Sequence, residues 1–353
     1  MSFKERTSMN PVSEVLQILF MASEAAPLVK VGGLGDVAGS LPKALRDLQP
    51  PAWSGPRLDV RLVLPLHNVI KQQVKPSQPV ADFPLITPAG EQPVKVYLTH
   101  VADLPVYLVD GPPIAPDNRV YSTDSLLDGE KYIFFSLAAL EMTRHLNWKP
   151  DIIHANDWHT SAALYALDLR RKQEPYFESM RSLLSIHNLP FMGKDAEPAV
   201  AKYGLPRSRE KKLPTWARQF PLPLGLQSAD QINAVSPGYA KEIMTPEFGC
   251  GLQDFIKTRH NVLAGILNGL DQVDWDPSTD STLANRYDRS DLSKKVSNKT
   301  ALQNEFNLPI EADVPLLVMV TRMDQQKGVD IAVSGLRLAA DLNWQAVILG
   351  TGD

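Results

Sequence analysis

The sequence predicts an α/β protein of two domains, and three observations carry that prediction. Runs of aliphatic and β-branched residues alternate with amphipathic stretches along the chain, the pattern of parallel sheets covered by helices. A chain of 353 residues, 44% of them hydrophobic, can bury more than one core. Three glycines, Gly32, Gly33 and Gly35, separate the first strand-like run from the first helical pattern, as in nucleotide-binding α/β folds.

The first run spans residues 18–22 and is followed by KVGGLGDVAGSLPKAL at residues 30–45. Glycines let a backbone turn tightly and approach a ligand, and a helix N-terminus presents free N–H groups to an anion, so a phosphate-bearing ligand is expected here. The helix is expected over 36–48, opened by Asp36 as its cap and bent or delayed by Pro42. Strands follow at 60–64, 94–99 and 106–109, then a Phe-, Leu- and Ala-rich helix at 130–145. The 29 prolines exceed the roughly 5% average usage, and the stretches 76–93 and 112–116 read as rigid surface connections. Further strands at 152–155, 183–186 and 232–235 alternate with helices at 159–172 and 237–245. LPTWARQFPLPLGL at 213–226 is too proline-rich for a regular helix and reads as an irregular lid or packing segment.

Beyond LNGLDQVDWDP (267–277) a polar stretch leads to a second β-α-β pattern, with strands at 316–320 and 346–349 around a helix at 328–342. Two strands and a helix cannot cover both faces of a sheet, so the second domain is expected to be incomplete and the chain a C-terminally truncated fragment. The predicted organisation is a polar tail at 1–15, a first domain at 16–265, a linker at 266–280 and the start of a second domain at 281–353.

Composition narrows the function classes. A formal net charge of -4 without a long basic run argues against nucleic acid as partner. The single cysteine, Cys250, excludes intramolecular disulfides and a cysteine-based zinc site, which fits a reducing compartment, with the cytoplasm as default. The segment before Leu16 lacks the apolar core of a signal peptide, and no run is long enough to cross a bilayer.

Several polar residues lie at predicted strand ends, where open α/β sheets bind ligands. Asp157 follows DIIHAND, and His187 and Asn188 follow the 183–186 strand; a helix cap and a merely hydrogen-bonded histidine are the plainer readings. Lys30 precedes the glycines, and a solvated lysine at an ordinary turn is its plainer reading. Arg322 and Lys327, five residues apart after the first strand of the second domain, can both reach one anion, or form a solvated basic loop.

Taken together, KVGGLGDV (30–37), HANDWHTS (154–161), SIHNLPFMG (185–193), AVSPGYAKEI with TPEFGCGL (234–252), ILNGLDQVDWDP (266–277) and TRMDQQKG (321–328) resemble, in order, the motifs of bacterial glycogen synthases and plant starch synthases. The resemblance covers nearly the whole chain from Leu16. It implies a GT-B glycosyltransferase, two Rossmann-like domains facing a cleft, that transfers glucose from ADP-glucose to the non-reducing end of an α-1,4-glucan such as glycogen, with retention. No metal and no cofactor are implied, because cations and helix N-termini stabilise the departing diphosphate.

Carried over by motif, the resemblance puts Lys30, Gly32, Gly33, Asn188 and Asn268 at the ADP-glucose site and gives Asp36, Asp157, His187, Arg322 and Lys327 catalytic roles. His154 and His159 are read as structural. Residues that complete the cleft would lie beyond Asp353, so residues 1–353 by themselves are expected to be inactive. Three features depart from the family pattern: Asn156 where many relatives have histidine, Lys131 and Tyr132 where an arginine and a phenylalanine are usual, and PLPLGLQSAD (221–230) in place of an FLKAGL-type stretch. The rival readings are a nicotinamide-dependent oxidoreductase using GLGDVAG with Asp59, a glucan-binding remnant using Trp53, Trp148, Trp216 and Trp275, and a UDP-glucose-dependent enzyme of the same fold.

Overall fold

The computed structural model describes residues 15–48, 53–114 and 119–352. The predicted tail lies outside these apart from Val15, as do residues 115 and 116 of the second proline-rich connection. The chain divides into two compact units, the first extending to Gly269 and the second beginning at Leu270.

The first unit is built on nine strands: β1 (Val15–Met21), β2 (Arg57–Pro65), β3 (Ala81–Thr87), β4 (Gly90–Val101), β5 (Leu104–Asp110), β6 (Ile152–Asn156), β7 (Arg181–Ile186), β8 (Gln231–Ala234) and β9 (Leu263–Gly265). Their order is β3-β4-β5-β2-β1-β6-β7-β8-β9, parallel from β5 through β9, with β3 and β4 antiparallel at one edge. The helices are α1 (Gly33–Arg46), α2 (Asn68–Val74), α3 (Ser125–Met142), α4 (Trp158–Arg171), α5 (Pro175–Glu178), α6 (Glu197–Lys202), α7 (Pro221–Ser228), α8 (Pro237–Glu242) and α9 (Gln253–Thr258).

The strands read as continuous apolar runs because both faces of the sheet are covered. In β1, Ile18 and Phe20 join a core cluster with Leu34 and Ala38 of α1 and Ile70 of α2. The alternate residues Leu19 and Met21 join a larger cluster that includes Phe134 and Phe135 of α3, Leu164 of α4 and Leu224 of α7.

Three elements depart from expectation. α1 starts at Gly33 and runs through Pro42 without delay; Asp36 lies inside its first turn, and the cap position is Gly32. Within the stretch read as a surface connection, β3 pairs with β4 in a hairpin. Its Ala81, Phe83 and Leu85 are buried, and Pro84 is tolerated because β3 is an edge strand. The segment read as irregular contains α7, a fully packed helix with Pro221 and Pro223 in its first turn, where the missing N–H groups have no intrahelical acceptor to lose. α7 packs on α4 so closely that a β-carbon at Gly225 would lie 2.7 Å from Ser161 Cβ.

The second unit contains α10 (Lys295–Glu305), within the stretch read only as polar, then β10 (Leu316–Val320), α11 (Val329–Leu338) and β11 (Gln345–Leu349). β10 and β11 pair in parallel. Its described residues leave Val320, Ile331 and Leu338 exposed by 71%, 72% and 87%.

Candidate functional site

The strand order of the first unit fixes where a ligand site forms. From β1 the chain builds outward through β2 to β5 on one side, and β6 to β9 extend the sheet on the other. The switch point therefore lies between β1 and β6, and ligands of open α/β sheets bind outside the carboxyl ends of strands at such a point. The segment after β1 carries the glycine loop, and Asp157 directly follows β6.

The glycine loop is held from inside by a carboxylate that the sequence reading did not single out. Glu24 is buried. Its Oε2 accepts from the backbone N–H of Val31 and from that of Gly32 at 3.1 Å, and its Oε1 accepts from the Tyr121 hydroxyl at 2.9 Å. The only sequence signal was an acidic residue at a strand end just before KVGG. A β-carbon at Gly35 would approach Glu24 Oε2 to 2.9 Å, and one at Gly39 would approach Ala26 O to 2.5 Å, so those two glycines are required by packing. Gly33 would meet nothing within 4 Å, and Gly32 only Glu24 Oε1 at 3.6 Å. Lys30 and Asp36 are half-exposed and form an ion pair, Nζ to Oδ1 at 2.7 Å.

Asp157 occupies the cap position of α4 but makes no side-chain cap bond. Its Oδ1 accepts instead from the backbone N–H groups of His187 at 2.7 Å and Asn188 at 3.2 Å, tying the end of β6 to the end of β7. Its backbone lies at φ 53° and ψ -169°, a region that costs a non-glycine residue about 1–3 kcal/mol. Burial pushes the Asp157 carboxyl up, against the opposing pull of His187 and the two backbone donors. Burial pushes the half-buried His187 ring down, with Asp157 and Glu24 acting the other way. His154 donates or accepts at Ser185 Oγ, 2.8 Å away, and desolvation lowers it to about 3. His159 is likewise buried and pushed well below its ordinary value.

Other candidates lie apart. Asn268 is exposed in the stretch after β9. Arg322 and Lys327 belong to the second unit, in the loop after β10, where both attach to Asp324: Arg322 by an ion pair of 3.3 Å, Lys327 by its backbone N–H at 3.1 Å. Among the described residues no group of three His, Cys, Asp or Glu side chains is placed to hold a metal ion.

The structure also bears on one departure and on two of the rivals. Lys131 is buried, paired with Asp128 at 2.7 Å and donating to Val120 O at 2.7 Å, so it acts inside the fold. Asp59 is engaged by Arg46, Arg61 and the Trp148 indole, which removes it as a ribose ligand. Trp148 is buried and offers no stacking surface to a glucan, whereas Trp216 and Trp275 are exposed.

A mostly parallel sheet with a glycine loop and a clamped carboxylate at its switch point, followed by a second β-α-β unit, is an architecture of nucleotide-binding α/β enzymes, and comparison with known proteins makes it a glycosyltransferase of the GT-B class. The chain belongs to the starch synthase catalytic domain family, which it matches over residues 17–258. It is 35% identical over 345 residues to the glycogen synthase of Clostridium perfringens, covering 96% of this chain and 69% of that protein. The glycogen synthase of Bacillus subtilis is 34% identical over 348 residues, with 96% and 69% covered. The catalytic domain of starch synthase IV from Arabidopsis thaliana, solved with ADP and acarbose bound, superposes with a TM-score of 0.81 at 27% identity, covering 96% of this chain and 68% of that one. No helix among the described residues is long and apolar enough to cross a membrane.

Proposed function

We propose that this glycogen synthase relative transfers glucose from ADP-glucose to the non-reducing end of an α-1,4-glucan, with retention, in glycogen biosynthesis in the cytoplasm. The observation that carries the reading is the adjacency, at the β1/β6 switch point, of a glycine loop held open by Glu24 and the Asp157 clamp on His187 and Asn188. In this reading Lys30, Gly32 and Gly33 receive the diphosphate at the N-terminus of α1, where the helix dipole favours an anion and Gly33 offers its N–H, that of Gly32 being taken by Glu24. Asp157, His187 and Asn188 take the glucosyl unit, with Asp36 beside it and Asn268 contributing to the nucleotide sugar. Arg322 and Lys327 neutralise the diphosphate as the glycosidic bond breaks, stabilising charge that grows in the transition state.

The test is glucose transfer to glycogen from ADP-glucose and from UDP-glucose by the full-length gene product, comparing wild type with Lys30→Ala and Arg322→Ala. Transfer from ADP-glucose that collapses in both variants is the expected result. Transfer from UDP-glucose alone would reassign the donor, and transfer from neither would overturn the enzyme reading. Turnover by residues 1–353 alone would overturn the expectation that they are inactive by themselves.

A further inference from the structure

Asn156, the last residue of β6, is buried, and its amide has one possible orientation. Nδ2 donates to the main-chain carbonyl of Met21 on the neighbouring strand β1 at 2.9 Å. A backbone carbonyl only accepts, so a flipped amide would set two acceptors against each other. Oδ1 therefore faces the His187 ring, 3.0 Å from Nε2. Because Oδ1 only accepts, Nε2 carries a proton.

A neutral imidazole holds a single N–H, so Nδ1 is then the nitrogen with the free lone pair. Burial favours that neutral form. Nδ1 has no hydrogen-bond partner among the described residues. The titratable groups that bear on the ring are Asp157 and Glu24, which favour its charged form, and the buried His154 and His159.

We infer that Asn156 is a positioning residue that fixes His187 as the Nε2–H tautomer and so presents Nδ1 as a hydrogen-bond acceptor for a hydroxyl of the bound sugar. This rests on the donor-site reading of His187. It makes the contact selective in polarity: a sugar hydroxyl satisfies Nδ1, whereas a deoxy or O-methyl group at the same position leaves it unpaired.

The experiment is nitrogen-15 NMR of histidine-labelled protein above the titration range of histidine, with the His187 signals assigned by their loss in His187→Ala. Wild type is expected to show a protonated Nε2 and an unprotonated Nδ1. Asn156→Leu should lose that signature and lower kcat/KM for ADP-glucose roughly tenfold, the value of one hydrogen bond. An Nδ1–H tautomer in wild type, or an unchanged signature in Asn156→Leu, would each overturn the inference. If Asn156→Leu does not fold, the wild-type spectrum decides. Undiminished transfer by His187→Ala would defeat the donor-site reading while leaving the tautomer assignment intact.

Discussion

The two units hold their candidate functional groups by different means. In the first, Glu24 and Asp157 are buried and each carboxylate ties together backbone N–H groups from a separate loop, so the site is fixed by the same packing that fixes the sheet. In the second, Arg322 and Lys327 extend from an exposed loop organised by Asp324, and the apolar residues around it are themselves exposed. The difference teaches that site geometry and stability are one problem in the first unit and two separate problems in the second.

Substitutions that remove one member of a buried pair break the first unit hardest. Lys131→Met leaves Asp128 charged and buried, and chemical denaturation should show a loss of about 3–5 kcal/mol. Asp157→Ala strands two backbone donors and should lower stability by about 1–3 kcal/mol in the same measurement. It should also cut glucosyl transfer by about a hundredfold, because His187 and Asn188 lose their anchor.

Acid sharpens the contrast, since all seven histidines lie in the first unit. His154 and His67 are buried, lowered from 6.5 to about 3 and about 4. Their stabilisation is complete above the unfolded value of 6.5 and declines as pH falls toward the folded values, because the unfolded chain takes up the protons first. Within that window each should cost about 1.4 kcal/mol per pH unit. Hydrogen exchange followed by region should show the first unit loosening below pH 6.5 while the second changes little. The smallest effect belongs to Arg322→Ala and Leu338→Ser, both at exposed positions in residues 1–353, which in that chain should each shift unfolding by less than about 0.5 kcal/mol. A larger shift in either would show that the second unit is coupled to its site after all.

Much of the first unit was legible because its central strands are apolar on both faces and its helices carry local signals. β3 and α7 were misread for a common reason: proline was weighed as a breaker without knowledge of position. An edge strand and the first turn of a helix both tolerate it, and neither location is apparent before strand order and packing are known.

The sequence by itself determined the α/β alternation, the order of the family motifs and the placement of Lys30 before the glycine loop and of Asp157 and His187 beside strand ends, since these follow from local periodicity and spacing. Tertiary structure alone decided that Asp157 serves His187 and Asn188 instead of capping α4, that Glu24, held by Tyr121, supports the glycine loop, and that Asn156 bridges Met21 to His187. Several of these contacts join residues 30 to 135 positions apart, and which distant residues meet depends on the order of strands in the sheet, which local propensity does not encode.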